Sequence, residues 1–206
     1  MPSIEVQGLS MEYRTKLGVS KILSDVTFTV QDGEIVSIIG PSGSGKTTLI
    51  LMLAYLRKPT AGSILIDGRE VSQVPDVGVI FQEFNRALLL WKDVLANVEM
   101  GAELAGLPSA ERRRVAHKFV EMVGLKDFER YLPGQLSGGM KQRVQIARVL
   151  AYDPAFLLCD EPFGSLDAQT RTQLQRDFLL LCQESKKTII FVTHDVDEAI
   201  TVADRV

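Results

Sequence analysis

The chain has 206 residues, 46% apolar and 24% charged, enough to bury a sizeable core in one domain or in a domain with a subdomain. A net charge of −3 supplies no overall basic field for nucleic acid, and no apolar run approaches the roughly 20 residues that span a bilayer. The start "MPSIEVQG" lacks the basic and apolar regions of a signal peptide, so the chain is expected to be soluble and cytoplasmic.

In chain order, "VTFTV" (26–30) and "IVSII" (35–39) flank Asp32-Gly33, and "SILI" (63–66) meets "REV" (69–71) around Asp67-Gly68. Both dipeptides are hairpin signals, so the N-terminal part is expected to be antiparallel. Between them, "GPSGSGKTT" (40–48) leads into the helical period of "TTLILMLAYL" (47–56), which "KPTAG" (58–62) closes. "VGVIF" (77–81), "AFLLCDE" (155–161) and "TIIFVTH" (188–194) are short continuous apolar runs, the pattern of strands buried on both faces of a parallel sheet. Between Phe84 and Ala151 only helix-like mixing occurs, broken at Gly106-Leu107-Pro108 and at Pro133-Gly134. The fold class expected is α/β, with 1–85 and 152–206 forming a core with an antiparallel β part and 86–151 an inserted helical subdomain. Cys159 and Cys182 fit neither a zinc site nor a redox pair and are expected to be reduced core residues.

Gly40, four residues, Gly45, Lys46 and Thr47, after a strand and opening a helix, form a P-loop pattern in its required context. Glycines let successive N–H groups turn toward one centre at an electropositive helix end, an anion cradle. Lys46 is expected to reach the β- and γ-phosphates of ATP and the Thr47 hydroxyl to ligate Mg²⁺. "FLLCDEP" then supplies Asp160 and Glu161 at a strand end: one carboxylate to hold Mg²⁺ through water, its neighbour to polarise the attacking water. "LSGGMKQRVQIAR" (136–148) sets a serine and two glycines at the start of a basic helix, a second phosphate-seeking N-terminus. His117 and Arg112-Arg113-Arg114, by contrast, read as a solvated helix face.

With these motifs in place, the sequence resembles the ATP-binding subunit of ATP-binding-cassette (ABC) transporters over essentially its whole length. The matches fall in family order: Tyr13 where an aromatic stacks on adenine; Gly40, Pro41, Ser42, Gly43, Ser44, Gly45, Lys46, Thr47 and Thr48 as Walker A; Gln82 as the Q-loop. Then come Leu136 to Met140, with Ser137, Gly138 and Gly139, as the signature; Phe156 to Glu161 as Walker B; Ser165-Leu166-Asp167 as the D-loop; and His194 as the switch histidine. The resemblance implies a P-loop NTPase core and an ATPase that works as a head-to-tail homodimer. Each ATP lies between the Walker A of one subunit and the signature of the other. It implies Mg²⁺ held by Thr47, Gln82 and Asp160, catalysis by Glu161, Gln82 and His194, and nucleotide contacts from Ser137, Gly138, Gly139 and Asp167. It also implies transmembrane permease subunits, a substrate-binding protein, no nucleic acid, and a peripheral place on the cytoplasmic face of the membrane.

Three departures stand out. Met140 replaces the family's common glutamine, a feature of importers resembling the nitrate, sulfonate and taurine systems, whose flavour "FGSLDAQTR" (163–171) shares. Leu90 stands where the family has proline before Trp91, in the segment expected to line a groove for a membrane subunit. The chain stops at Val206, where "ADRV" is expected to enter a further strand, so a C-terminal truncation is expected. Two other classes stay open: a soluble ABC ATPase acting on ribosomes or DNA, and an exporter or lipid-transport subunit.

Overall fold

Ile4, Val6, Leu9 and Met11 are buried while their neighbours are not, and this two-residue period, slipped once between Val6 and Leu9, is what a strand with one covered face requires. The computed structural model describes residues 3–15, 18–71, 76–82, 87–164, 166–184 and 186–206. They divide into two compact units, Met1–Val77 with Ala155–Asp160 and Cys182–Val206, and Gly78–Pro154 with Glu161–Leu181.

In the first unit, β1 (Ile4–Thr15) pairs antiparallel with β2 (Gly18–Val30). After β3 (Ile35–Ile39) and helix α1 (Lys46–Leu53), β4 (Ala61–Ile66) pairs with the other edge of β1. The Asp67-Gly68 hairpin forms as expected: both residues have positive φ (50° and 71°), the twist a two-residue loop needs, and β5 (Arg69–Glu70) returns along β4. The Asp32-Gly33 hairpin does not form. Glu34 N–H bonds to Gln31 O at 3.1 Å, so the chain turns there, yet β3 runs parallel to β8 (Thr188–Thr193), Ile35 facing Ile189 through Ile39 facing Thr193. Burial gives the reason: Ile35, Val36 and Ser37 are covered consecutively, whereas β2 buries only Val30. A strand covered on both faces belongs in a parallel sheet, and a turn dipeptide fixes a change of direction without fixing the partner.

β6 (Val77–Ile80) leads out of this unit, and β7 (Phe156–Asp160) re-enters it, parallel to β8 and buried at every position. Helix α6 (Val196–Val202) packs on β3 and β8. Beyond it, "ADRV" makes one parallel bridge, Val36 to Arg205, with Ser37 N–H bonded to Arg205 O at 2.8 Å. The Arg205 guanidinium, 2.7 Å from Glu34, holds that carboxyl below the usual range. Cys159 and Cys182 are both buried core thiols, as expected; burial pushes Cys182 up to about 12 and raises Cys159 well above the ordinary value.

The second unit is helical: α2 (Val94–Leu104), α3 (Ser109–Met122), α4 (Gly138–Tyr152) and α5 (Ala168–Glu184), the last running on into the first unit. The breaks expected from glycine and proline fall between these helices. Asp93 caps α2 by accepting from Ala96 N–H at 2.8 Å. Apolar faces carrying Val98 and Ala102 on α2, Ala116 and Val120 on α3, and Val144 and Ala147 on α4 are fully buried. His117 is half-exposed with its Nδ1 2.7 Å from Glu129 Oε1; Arg113 and Arg114 are exposed, and Arg112 pairs with Glu103 at 2.8 Å. Among the described residues no helix is long and apolar enough to cross a membrane.

Candidate nucleotide site

The loop between β3 and α1 has the backbone its glycines predict. Gly43 and Gly45 have φ of 82° and 97°, and Gly45 stands at the N-cap of α1 with no side chain accepting from the first turn. A Cβ on Gly45 would lie 3.0 Å from Leu23, so side-chain bulk is excluded there as well. The N–H groups of a helix start without a side-chain acceptor form the partial positive charge that an anion seeks. Lys46 is buried, and its Nζ donates to Gly40 O at 2.7 Å and Pro41 O at 3.0 Å. Pro41, Ser42, Gly43 and Ser44 are exposed, as is Thr47, while Thr48 is half-buried.

Thr47 Oγ1 donates to Asp160 Oδ2 at 2.6 Å, joining the first turn of α1 to the end of β7. Asp160 itself is 2% exposed, a carboxylate kept in the core at the mouth of a parallel strand. A hydroxyl and a carboxylate in contact are hard oxygen donors, the kind Mg²⁺ takes. Among the described residues no group of three or more His, Cys, Asp or Glu could hold a metal ion. His194 follows β8 and is exposed. Tyr13, opposite Ser20 on β2, has the Arg57 guanidinium 5.2 Å above its ring centroid, a cation–π contact that no sequence pattern marks.

The second unit carries the remaining residues. Glu161 has φ of 46°, a left-handed conformation costly for a residue with a Cβ, and is 9% exposed. It accepts from Gln82 Nε2 at 3.1 Å, so the two residues expected as the Q-loop glutamine and the Walker B glutamate meet. Ser137 caps α4, accepting from Met140 N–H at 3.3 Å, with Gly138 and Gly139 in the first helical turn. Asp167 caps α5; Thr170 N–H, 3.0 Å away, is the main cause of a carboxyl held below its usual range. Ser165 lies outside the described residues. Gln142 and Gln145 of α4, buried polar side chains beside these groups, were not singled out by sequence; their sole signal was Gln145 set among the apolar residues of "VQIARVL" (144–150), with Gln142 three residues before it.

A family model described as "ABC transporter" matches residues 23–164. The chain belongs to the ABC transporter family. This ABC chain is 48% identical over 204 residues to an uncharacterized ABC transporter ATP-binding protein of Methanocaldococcus jannaschii, covering 98% of the chain and 76% of the relative. It is 46% identical over 201 residues to the taurine import ATP-binding protein TauB of Yersinia pestis, covering 97% and 76%. With the bicarbonate transport ATP-binding protein CmpD of Synechocystis the identity is 42% over 205 residues, covering 98% and 72%. Among solved structures it superposes on a dimeric post-hydrolysis ATP-binding cassette bound to ADP and Pi with a TM-score of 0.86 and 33% identity, covering 95% of this chain and 90% of that one. The expected fold, ATP-binding subunit and ATPase are therefore those of an ABC cassette.

Proposed function

We propose that this ABC subunit hydrolyses ATP in a head-to-tail homodimer to drive import of a small anion such as nitrate, a sulfonate or taurine. It does so in complex with transmembrane permease subunits, supplied by a substrate-binding protein, at the cytoplasmic face of the membrane. The observation that carries the nucleotide reading is the Thr47–Asp160 contact at 2.6 Å, a phosphate loop and an acidic strand end linked through the two oxygens a Mg²⁺ site needs. Thr47, Asp160 and Gln82 are the residues to hold Mg²⁺, which supplies positive charge at the phosphate oxygens. Lys46 exchanges its bonds to the Gly40 and Pro41 carbonyls for the β- and γ-phosphates. Glu161 takes a proton from the attacking water, with Gln82 orienting its carboxylate and His194 on the γ-phosphate side. Tyr13 stacks on adenine, and Ser137, Gly138 and Gly139 meet the γ-phosphate of the partner subunit's ATP, with Asp167 beside them.

The import reading rests on Met140 in the signature and on relatives named for taurine import and bicarbonate transport. Two measurements test the proposal. Thr47→Ala should lose most of its Mg²⁺-dependent hydrolysis, and hydrolysis equal to wild type at limiting Mg²⁺ would remove Thr47 from the metal site. Affinity purification from native membranes should bring down integral membrane proteins; recovery of RNA or DNA instead would replace the importer with a soluble clamp.

A further inference from the structure

Helix α4, which begins at the signature, also touches the backbone on which Gln82 and Glu161 are mounted. Gln145 is fully buried, and in the amide orientation its neighbours require it accepts from Phe81 N–H at 2.6 Å and donates to Phe81 O at 3.1 Å. Phe81 directly precedes Gln82. Gln142, 1% exposed and three residues before Gln145 on the same helix face, donates to Pro162 O at 2.8 Å and, more weakly, to Phe81 O at 3.4 Å. Pro162 directly follows Glu161. Two side chains from one face of α4 therefore grip the residue before Gln82 and the residue after Glu161, whose side chains meet at 3.1 Å.

We infer that Gln142 and Gln145 are positioning residues for ATP hydrolysis, which set the distance and angle between Gln82 and Glu161 and make that geometry depend on the seating of the signature helix. The argument rests on the roles given above to Gln82 and Glu161. Neither glutamine is accessible to water, so no solvent molecule replaces its bonds when the helix shifts. Gln145 contacts both polar groups of Phe81, a two-point attachment that fixes orientation as well as position. Glu161 sits at φ of 46°, a conformation that surrounding structure must enforce, and the bond to the next carbonyl is one such restraint. Among the described residues the buried oxygen of Gln142 has no hydrogen-bond partner, while both of its bonds to them are donations to backbone carbonyls. The residue is thus placed for the carbonyls it holds, not for its own full satisfaction.

The test uses the full chain with Gln145→Met and Gln142→Met, which keep length and remove the amide. Each is made alone and on a Gln82→Ala background, with Glu161→Gln as control; ATP turnover, ATP binding by calorimetry and Tm are measured. Each single methionine variant is expected to lower kcat about tenfold with KM within about twofold of wild type. Gln145→Met added to Gln82→Ala is expected to cost nothing further, because the group it positions is already gone. Losses that multiply in the double variant, or a wild-type kcat in a folded single variant, overturn the inference. Gln142→Met also deletes a buried oxygen that no described residue bonds, so it is expected to fold even where Gln145→Met does not, and its kcat then decides the question. If Glu161→Gln turns over normally, the role of Glu161 falls; if it is inactive while both methionine variants are normal, only the positioning role falls.

Discussion

At the scale of residues, Lys46 illustrates how a functional group is kept ready. Buried and bonded to the Gly40 and Pro41 carbonyls at 2.7 and 3.0 Å, its ammonium keeps hydrogen bonds in the core and, in the role proposed above, would gain stronger, charge-assisted ones from phosphate. Lys46→Ala is therefore expected to abolish ATP binding in calorimetry with Mg²⁺, and wild-type affinity in that variant would remove the lysine from the cradle. Glu161→Gln is expected to bind ATP normally but to hydrolyse it about 10²–10⁴-fold more slowly, since the amide keeps the bond to Gln82 in shape while losing the proton affinity of a base; unimpaired turnover would transfer the base role elsewhere. These residues were legible because phosphate chemistry fixes both residue type and spacing. Gln142, Gln145 and Arg57 were not: the glutamines act on backbone carbonyls and the arginine on a ring distant in sequence, and such partners leave no pattern in a chain read linearly. The two cysteines were legible from a bland rule, that thiols in apolar runs are core, and burial does raise both thiols. Ellman's reagent is expected to label neither until the chain is unfolded, and rapid labelling of the native protein would contradict their burial.

Elements were read from periodicity, and their partners were harder to read. The continuous apolar runs at β7 and β8 gave parallel strands because nothing else buries every side chain, and the helical insert was marked by Gly106-Leu107-Pro108 and Pro133-Gly134. The misreading at Asp32-Gly33 came from treating a turn as a pairing rule; what decided β3 was the burial of Ile35, Val36 and Ser37 together, a property of the sheet around it. The closeness of α2 to α4 was also invisible. A Cβ at Gly101 would lie 2.1 Å from Arg148 O, so these helices meet backbone to backbone at one point. Gly101→Ala cannot be relieved by a rotamer change, because the atom it meets is main chain. The helices must separate, at a cost on the order of 3 kcal/mol, which for a chain of this size corresponds to roughly 6–12 °C in Tm. A melting curve that superposes on wild type would show that α2 and α4 tolerate the added methyl. Because α4 carries the signature and both positioning glutamines, the same variant is also expected to lower turnover.

For the whole molecule, the sequence showed two phosphate-seeking helix starts, at Gly45 and at Ser137, and the structure assigns them to different compact units. Family membership accounts for both helix starts in one chain if each ATP is completed by a second subunit, and this is the claim that most needs a direct test. Ser137→Arg puts a bulky cation at the cap of α4, where the γ-phosphate of the partner's ATP is proposed to lie; it is expected to spare ATP binding to monomers and to block turnover. Lys46→Ala is expected to block binding. When the two inactive chains are mixed, a shared-site dimer carries both lesions in one site and none in the other. With random pairing about half the dimers are mixed, and each has one intact site of two, so about a quarter of wild-type activity should return if one site turns over alone. If instead α4 served the ATP of its own chain, every site would carry a lesion and nothing would return. Wild-type chains mixed with Glu161→Gln chains show whether one site works alone: about a quarter of those dimers are wild type and about half hold one intact site whatever the geometry, so about half of wild-type activity is expected if single sites turn over and about a quarter if both are required. Activity near a half in that control, together with none in the Lys46→Ala and Ser137→Arg mixture despite mixed dimers seen by light scattering and tag exchange, would rule out sharing. Recovery near a quarter of wild-type activity would establish that the signature helix of one subunit completes the nucleotide site of the other.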